Sequence, residues 1–395
     1  MGIRILKKNF DWFKQSQFPP LLKINKELKK RLKEVNKPLM KEAELPEQDK
    51  ILIRQIKEST RQLNLNNVTR TTAYFDYYRK HLEIHWALLG HMVSRNGGWN
   101  MTDLKGELLS KLLSEAEQKD YFLFLERGNW LIFQDVYPQL LLYEESLKRE
   151  TSLFYLLSFF HVSIFMEVMW DHFWKNGDRY LLAIALVINE QSYLEKRVIQ
   201  NPHYQKTVLE TKEFKVQDLL SLNQILFPCC NNMNKVPGQV PDLIGQTLHH
   251  FASLQERILL GKRLYSVLFG SSEILQGVIN WAADHPHTGS RKDYWPHLFN
   301  DVNESVPSTP RTPYKRRTDD CQLKAGANRL FSPKLQYAWK NIEHGEAEIE
   351  DWFEDWKILT YFINQEKNVN GEIYHKYCKT LEKIELAVMA KTAIF

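Results

Sequence analysis

The sequence predicts an all-α protein, a non-bundle array of roughly a dozen or more helices. Three observations lead to this prediction. Apolar residues recur at helical spacing along most of the chain, as in residues 21–36, where Ile24 and Leu28 fall on one stripe. Strand-like alternation is scarce, and Asn370-Gly371, a typical hairpin pair, lies between helical segments. Hydrophobic residues make up 43% of the 395-residue chain, which is enough to bury a core.

Prolines, glycines and capping residues set the expected helix ends in the first half of the chain. Pro19-Pro20 precedes the first helix, and Pro46, followed by acidic residues, begins the second. Pro138 is expected to kink or break its helix, because proline lacks the N–H that an interior position donates. The helices predicted here cover residues 21–36, a segment beginning at 46, 67–93, 102–113, 117–125, 130–147, 150–174 and 179–199.

The second half shows the same periodicity, interrupted by longer polar segments. Residues 228–244 and 284–291 are predicted loops, and residues 300–328, with three prolines and many polar side chains, form a long polar loop. Pro228 is expected to end a short helix. The helices predicted here cover residues 216–227, 245–268, 272–283, 334–343, 346–365 and 368–392, with a short segment at 294–299.

Charge divides the chain into two parts. Residues 1–45 carry 12 Lys or Arg and five Asp or Glu, so this basic arm holds a net charge of +7, and residues 46–395 are left with −2. We therefore expect an amphipathic N-terminal arm followed by a helical domain that contains the long loop. An apolar stripe with lysines around it suits an anionic membrane surface or an acidic partner, and it also suits simple packing on the body. The nearly neutral body gives no specific nucleic-acid signature.

The cysteines and the N-terminus indicate a compartment. The four cysteines form no CxxC pair, and so few thiols in so long a chain favour a reducing cytoplasm. The N-terminus has no unbroken apolar segment of the signal-peptide kind. The most apolar stretch, residues 153–174, contains Glu167 and Asp171, so a buried helix is a better interpretation than a membrane span. We expect a soluble cytoplasmic protein, or one attached peripherally to a membrane through its arm.

A first candidate ligand site is residues 94–100, which contain Arg95, Asn96, Gly97 and Gly98. Paired glycines allow close backbone approach, and a helix expected to begin near Thr102 would present N–H groups to an anion. Arg95 would add a bidentate contact to a phosphate or carboxylate. The alternative is structural: a helix capped at Gly97, a tight turn, and an N-cap at Thr102.

A second candidate is the loop 285–295. Its hydroxyl, cationic and aromatic groups suit an anionic ligand with a ring, since such loops often carry function on a rigid helical scaffold. The alternative is a helix connection in which Ser290 caps the next helix and Trp295 enters the core. The candidate residues are His287, Thr288, Ser290, Arg291, Lys292 and Tyr294.

Metal ligation is a weak third hypothesis. His81 and His85 share a helix face, and so do His161 and His172. These helices contain no Glu-x-x-His pair of the ferritin kind, so histidines hydrogen-bonded at helix contacts are the alternative, and we expect no metal or cofactor. Residues 189–191, Asn-Glu-Gln, either line a site or mark where a central helix reaches solvent.

Three unusual strings resemble the YppC family of Bacillus and its relatives, which carries a domain of unknown function. They are EIHWALLGHMVSRNGGWNMTDLKG at 83–106, INEQSYLEKRVI at 188–199 and HPHTGSRKDYWPHLF at 285–299. The likeness runs from about residue 50 to the end. It implies a Gram-positive bacterial source, and it implies no activity, substrate, cofactor or catalytic residue.

No complete catalytic constellation is present, since the chain contains neither GxSxG nor a P-loop. The sequence therefore predicts first a non-catalytic binding or interaction protein whose ligand and partner are unknown. The first alternative is an enzyme that acts on an anionic or phosphate-bearing substrate at residues 94–100 and 285–295. The second is a peripheral membrane protein.

Overall fold

The computed structural model is predominantly α-helical, as predicted. It describes residues 19–34, 42–219, 223–229, 241–304, 314–354, 356–363, 366 and 369–394. The helices are α1 Pro19–Glu34, α2 Glu47–Leu63, α3 Asn67–Lys80, α4 His85–Asp103, α5 Leu109–Leu112, α6 Glu115–Lys148, α7 Ile164–Asn176, α8 Arg179–Leu194, α9 Pro202–Tyr204, α10 Lys212–Leu219, α11 Leu254–Phe269, α12 Ser272–Asp284, α13 Leu335–Ala338 and α14 Tyr374–Ile394. Shorter 3₁₀ and π-helical turns lie at Glu42–Glu44, Phe154–Phe160, Glu195–Ile199, Gln205–Leu209, Arg291–Asp293 and Trp356–Phe362.

The core is built around α8. Every side chain from Leu181 to Asn189 is buried, so this helix has no solvent face over two and a half turns. It packs against α4, α6, α7 and α11, which together enclose it. Asp178 caps its N-terminus by accepting a hydrogen bond from the Leu181 amide at 2.9 Å.

Local capping sets the boundaries of the long helices. Asn66 and Thr69 form a reciprocal capping box at α3, and Ser114 and Glu117 form another at α6. Such caps satisfy the amides that an isolated helix start leaves without partners. Pro138 lies inside α6, where burial of the surrounding turns keeps the helix continuous, so the break expected there is wrong.

Six short strands accompany the helices among the described residues. Antiparallel β1 and β2 pair Gln224 with Thr247, β3 pairs with β6 in parallel, and β4 pairs with β5. The strands are β1 Gln224–Cys229, β2 Asp242–Thr247, β3 Phe299–Asn300, β4 Thr318–Asp319, β5 Gln322–Leu323 and β6 Leu330–Phe331. The helix predicted at 216–227 is therefore wrong in its second half, and part of the predicted loop 300–328 is ordered by strand pairing.

The β1–β2 hairpin is fixed to α4 by one side chain. The Asn96 amide accepts from the Leu226 amide nitrogen at 2.8 Å and donates to the Leu226 carbonyl at 2.9 Å. Asn96 thus occupies the backbone hydrogen-bonding groups that a third strand would use. This tertiary contact overrides local helical periodicity, which is why the pattern at 216–227 misled the prediction.

Several predicted helices differ in extent. Residues 94–100 are not a loop but the last turns of α4, and the helix predicted at 150–174 divides at Phe154–Phe160 before α7 begins. Residues 339–354, which we call the strap, are irregular, so the helices predicted at 334–343 and 346–365 are wrong over this stretch. Its polar sequence packs through side chains rather than through backbone hydrogen bonds.

A disulfide joins Cys321, beside β5, to Cys378 in α14. It links segments separated by 57 residues in the chain. The expectation that these thiols are reduced is therefore wrong for this structure, because periodicity gives no information on which cysteines meet.

The structure describes two parts of the basic arm, the helix α1 and residues 42–45. Ile24 and Leu28 are buried against the body, where α1 packs on α7, while Lys23, Lys26 and Lys30 are exposed. Residues 1–18 and 35–41 of the predicted arm, and residues 305–313 of the predicted loop, lie outside the described residues. Among the helices described, none has both the length and the hydrophobicity to cross a membrane.

Candidate functional site

The structure brings the two predicted segments together. At Gly98 of α4, a Cβ atom would lie 2.4 Å from Asn67 Oδ1 and 2.5 Å from His287 Nε2, so only glycine allows this approach. His287 Nε2 and Asn67 Oδ1 are themselves 2.8 Å apart. Thr102 donates a hydrogen bond to the Gly289 carbonyl at 2.6 Å and fastens the loop 285–295 to the end of α4.

Arg95 lies in the interior of this contact. It is fully buried, its Nη2 donates to the His285 carbonyl at 2.6 Å, and its guanidinium lies 4.4 Å above the Trp281 ring. Burial lowers the pKa of Arg95 to about 10, an effect that Asp293 opposes. Gly97 lies in the same helix and faces Asn129. In this arrangement Arg95 holds the loop to the helix.

Arg291 has a different setting. Its Nε and Nη2 lie 2.6 and 2.5 Å from Asp103 Oδ2, and its Nη1 donates to the Tyr294 and Tyr377 hydroxyls at 2.6 and 2.7 Å. Burial alone would lower the pKa of Arg291, but the Asp103 carboxylate outweighs it and raises that pKa well above its usual value. The guanidinium is therefore permanently charged and already neutralised.

The remaining candidates in the loop also have intramolecular partners. The Lys292 ammonium lies 2.6 Å from Asp301, and the Thr288 hydroxyl donates to Asp293 at 2.7 Å. The Ser290 hydroxyl donates to the Ser332 carbonyl at 2.6 Å and caps the following 3₁₀ turn. An anion at this loop would have to compete with these contacts.

The four histidines considered for metal binding lie in separate surroundings. His81 packs on Tyr77, His85 stacks on Phe269, His161 ends the 3₁₀ turn at Phe154–Phe160, and His172 Nδ1 accepts a hydrogen bond from the Asn176 amide. Within the described ranges, no three His, Cys, Asp or Glu side chains form a group that could hold a metal ion.

The feature that the sequence prediction missed is a cavity of about 370 Å³ between α4, α6, α10, β1 and α14. Its volume lies within the ~300–1,000 Å³ typical of small-molecule sites. Most of its wall is apolar, and residues that represent each side are Leu109, Phe124, Phe214, Leu226, Leu381 and Ile384. From the predicted segments 94–100 and 285–295, Asn100 and Arg291 line the cavity. Asp103 and Tyr377, which lie outside those segments, line it beside Arg291.

Among the described residues, the side chain of Gln224, which lines the cavity, lacks hydrogen-bond partners, and so does that of the residue paired with it across the hairpin. Gln224 of β1 is 5% exposed, and neither its amide nitrogen nor its amide oxygen has a hydrogen-bond partner in the described structure. Thr247, its neighbour across the hairpin, has a buried hydroxyl with no partner there either. A buried polar group without a partner destabilises a fold by about 1–3 kcal/mol, so these groups point to a ligand or bound solvent.

No local signal in the sequence identifies this cavity. Its walls come from segments up to 287 residues apart, from Asn100 to Ala387, and the apolar pairs Leu108-Leu109 and Leu112-Leu113 look like ordinary core positions. A cavity of this kind depends on packing, which periodicity does not report.

A second buried polar cluster lies in the centre of the helices. Asp135 of α6 accepts hydrogen bonds from Asn189 and Gln139, and Glu190 of α8 accepts one from the Trp86 indole at 3.1 Å. Burial raises the pKa of Asp135 to about 7 and that of Glu190 to about 7; the charge of Asp351 adds to the rise at Asp135, and the charge of Asp135 adds to the rise at Glu190. The interpretation that residues 189–191 emerge into solvent is wrong for Asn189, which is fully buried.

This cluster should make stability depend on pH. Asp135 and Glu190 bind protons more tightly in the folded state, since their pKa values rise to about 7 from 3.8 and 4.5. The folded protein then holds more protons between pH ~4 and ~7, so the free energy of unfolding should fall as pH rises through that window, by up to ~1.4 kcal/mol per pH unit for each group. Urea unfolding of wild type and Asp135→Asn at several pH values checks this. An equal pH slope in both would contradict it.

The fold and the cavity define a class: a predominantly α-helical protein with a partly enclosed apolar cavity and a neutralised ionic group at its edge. A model of the family described as "Protein of unknown function (DUF2515)" matches residues 62–378, so the chain belongs to that family. It is 42% identical over 316 residues to "Uncharacterized protein YppC" of Bacillus subtilis (strain 168), covering 80% of this chain and 87% of the relative. The resemblance to the YppC family is thus confirmed, and no solved structure matches the chain.

Proposed function

We propose that the protein is a non-catalytic binding protein that holds a small, largely apolar molecule in the cavity between α4, α6, α10, β1 and α14. The observation that carries this proposal is the cavity of about 370 Å³, apolar over most of its wall and polar at one side. Apolar enclosure with a few placed polar groups is the usual form of a small-molecule site. Each methylene that a ligand buries there contributes about 0.8 kcal/mol to binding.

The polar groups at the cavity favour binding over catalysis. A general base or nucleophile needs a side chain that can reach the reacting atom with an available lone pair or proton. Asp103 is held by Arg291, and the Tyr294 and Tyr377 hydroxyls lie 2.8 Å from each other beside the same guanidinium. These pairings orient the groups toward one another, which supports a fixed wall rather than a reacting centre.

The alternative of an enzyme acting on an anionic substrate at 94–100 and 285–295 has less support. Arg291 and Lys292 are paired with Asp103 and Asp301, and Arg95 is fully buried against Trp281. An anionic substrate gains most from cations that have no carboxylate partner. Of these candidate cations, Arg291 lines the cavity. It contributes to the proposed site together with Asp103, as an ion pair with no net charge.

Blocking the cavity provides the test. Ala387 of α14 lines the cavity, whereas Ala390, three residues later, is exposed. We expect Ala387→Trp to weaken binding of the fluorescent apolar probe N-phenyl-1-naphthylamine at least about tenfold, because the indole fills space that the probe needs. Ala390→Trp should leave the probe's dissociation constant unchanged.

The measurement is a fluorescence titration of the full chain, with circular dichroism to check that both variants are folded. Absence of probe binding to the wild type would end the proposal. Equal binding by a folded Ala387→Trp variant would show that the probe occupies another place and would also end it.

We also expect the protein to act in the cytoplasm. The described part of the arm buries Ile24 and Leu28 against the body, so the groups that α1 itself offers to an anionic membrane are exposed lysines such as Lys23, Lys26 and Lys30. Such attachment would be electrostatic and would be lost at high salt. Cell fractionation at low and high salt tests this: protein pelleting with membranes at high salt would contradict the expectation.

A further inference from the structure

We propose that the ligand is an uncharged single-chain amphiphile whose headgroup is a hydroxyl or a carboxamide, seated beside Gln224. This inference rests on the proposed function and specifies the ligand class of the same cavity. It follows from two independent properties of the wall: the state of its charges and the hydrogen-bonding groups that lack partners.

The charges at the cavity are compensated. Arg291 is bound by Asp103, and Glu107 lies 3.1 Å from both Lys111 and Arg317. A carboxylate or phosphate placed beside Arg291 would meet the Asp103 carboxylate as well, and an ammonium placed beside Asp103 would meet the guanidinium. A charged headgroup would therefore lose its hydration without gaining a counterion.

The remaining lining cation in the described structure is Lys212, which is exposed at the surface and adjacent to Glu213. An exposed lysine next to a carboxylate attracts anions weakly, because solvent and salt screen it. A charged headgroup would therefore bind beside Lys212 if it bound at all. Comparing charged with uncharged ligands distinguishes that orientation from one with the headgroup beside Gln224.

The hydrogen-bonding groups without partners are neutral and of both kinds. The buried Gln224 amide, which lines the cavity, offers N–H donors and a carbonyl acceptor. A ligand hydroxyl or carboxamide also donates and accepts, so it can satisfy both sides of the Gln224 amide. A carboxylate only accepts and an ammonium only donates, so each would leave one side without a partner.

The apolar part of the cavity wall indicates the chemistry of the ligand beyond its headgroup. The side chains of Phe124, Phe214, Leu381 and Ile384 line the cavity and offer no polar atoms. A linear alkyl chain fits such a wall, and its affinity should increase about fourfold with each methylene buried until the cavity is full.

The experiment measures displacement of N-phenyl-1-naphthylamine from the full chain by 1-alkanols, n-alkanamides, n-alkanoates and n-alkylammonium ions of matched length, at about pH 8, where the alkanoates are ionised. We expect alkanols and alkanamides to bind at least about tenfold more tightly than the charged ligands of equal length. Gln224→Leu should weaken alkanol binding about tenfold, and Gln276→Leu, at an exposed position of α12, should not change it.

A second variant reverses the preference. Asp103→Asn leaves the Arg291 charge without its carboxylate, so we expect alkanoates to bind this variant more tightly than alkanols. If Asp103→Asn does not fold, the comparison of alkanols with alkanoates on the wild type still tests whether the cavity prefers an uncharged headgroup. Equal or tighter binding of alkanoates by the wild type would overturn the inference, and so would probe binding with no displacement by alkanols. Failure of the probe itself to bind would instead contradict the proposed function.

Discussion

Replacing Arg70 by methionine is expected to lower the free energy of unfolding by about 3–5 kcal/mol. Arg70 and Glu126 are 1% and 2% exposed, and Arg70 Nη2 lies 2.6 Å from Glu126 Oε2. The guanidinium also donates to Asn64 Oδ1 at 3.1 Å. Removing the cation leaves a buried carboxylate whose other ion-pair contact in the described structure is to a histidine, with His344 Nε2 3.8 Å from Glu126 Oε1.

Urea unfolding followed by circular dichroism measures this change. The double variant Arg70→Met/Glu126→Leu should recover most of the loss, because it removes both charges and fills the space with apolar atoms. Arg61→Met is the matched control: Arg61 pairs with Glu58 at 2.7 Å, but both side chains are largely exposed. That change should alter stability by less than about 1 kcal/mol, and an Arg70→Met effect as small as this would contradict the argument.

Loss of the Cys321–Cys378 disulfide is expected to lower the free energy of unfolding by about 4 kcal/mol, because the bond restricts the unfolded chain. The bond closes a loop of 57 residues, which makes the entropic effect large. The variant Cys378→Ser removes the bond with little change in side-chain volume, because one oxygen replaces one sulfur at this buried position.

Unfolding of the wild type with and without dithiothreitol, beside Cys378→Ser, is the measurement. The reductant should bring the wild type to the stability of the variant and leave the variant unchanged. A wild type that responds to dithiothreitol no more than Cys378→Ser does would show that the bond contributes nothing in solution. Whether the disulfide forms in cells also bears on the compartment, because a permanent disulfide is unusual in a reducing cytoplasm.

Helical periodicity predicted most of the architecture. It found α1 and α12 close to their observed positions, because each buries one face and keeps another in water. For α11 and α14 it found the C-terminal ends, but the helix predicted at 245–268 is wrong at its start, which lies in strand β2. It failed at α8 only in detail and at β1 altogether. There the choice between helix and strand depends on the Asn96 side chain, 130 residues away in the chain, which no local pattern can report.

The candidate site was predicted in part. The sequence indicated Arg95 and Arg291, and the structure brings their two segments into contact through Gly98. It could not show that Asp103 neutralises Arg291, nor that Gln224 lies on the same cavity. Loop composition identifies polar side chains, but whether a cation meets a ligand or a carboxylate is decided by tertiary packing.

The strap, residues 339–354, is held in place mainly by its side chains rather than by backbone hydrogen bonds. Trp339 stacks on Phe122 at 4.1 Å, Trp352 donates to Asn189 at 2.8 Å, and Asp351 caps α7. Yet among the described residues 340–354, Glu350 is the one whose amide donates to a backbone carbonyl. The amide protons of the strap therefore lack the protection of a helix or sheet. They should exchange quickly with deuterated water even while Trp339 and Trp352 stay in place, and the strap can open locally without any helix unfolding.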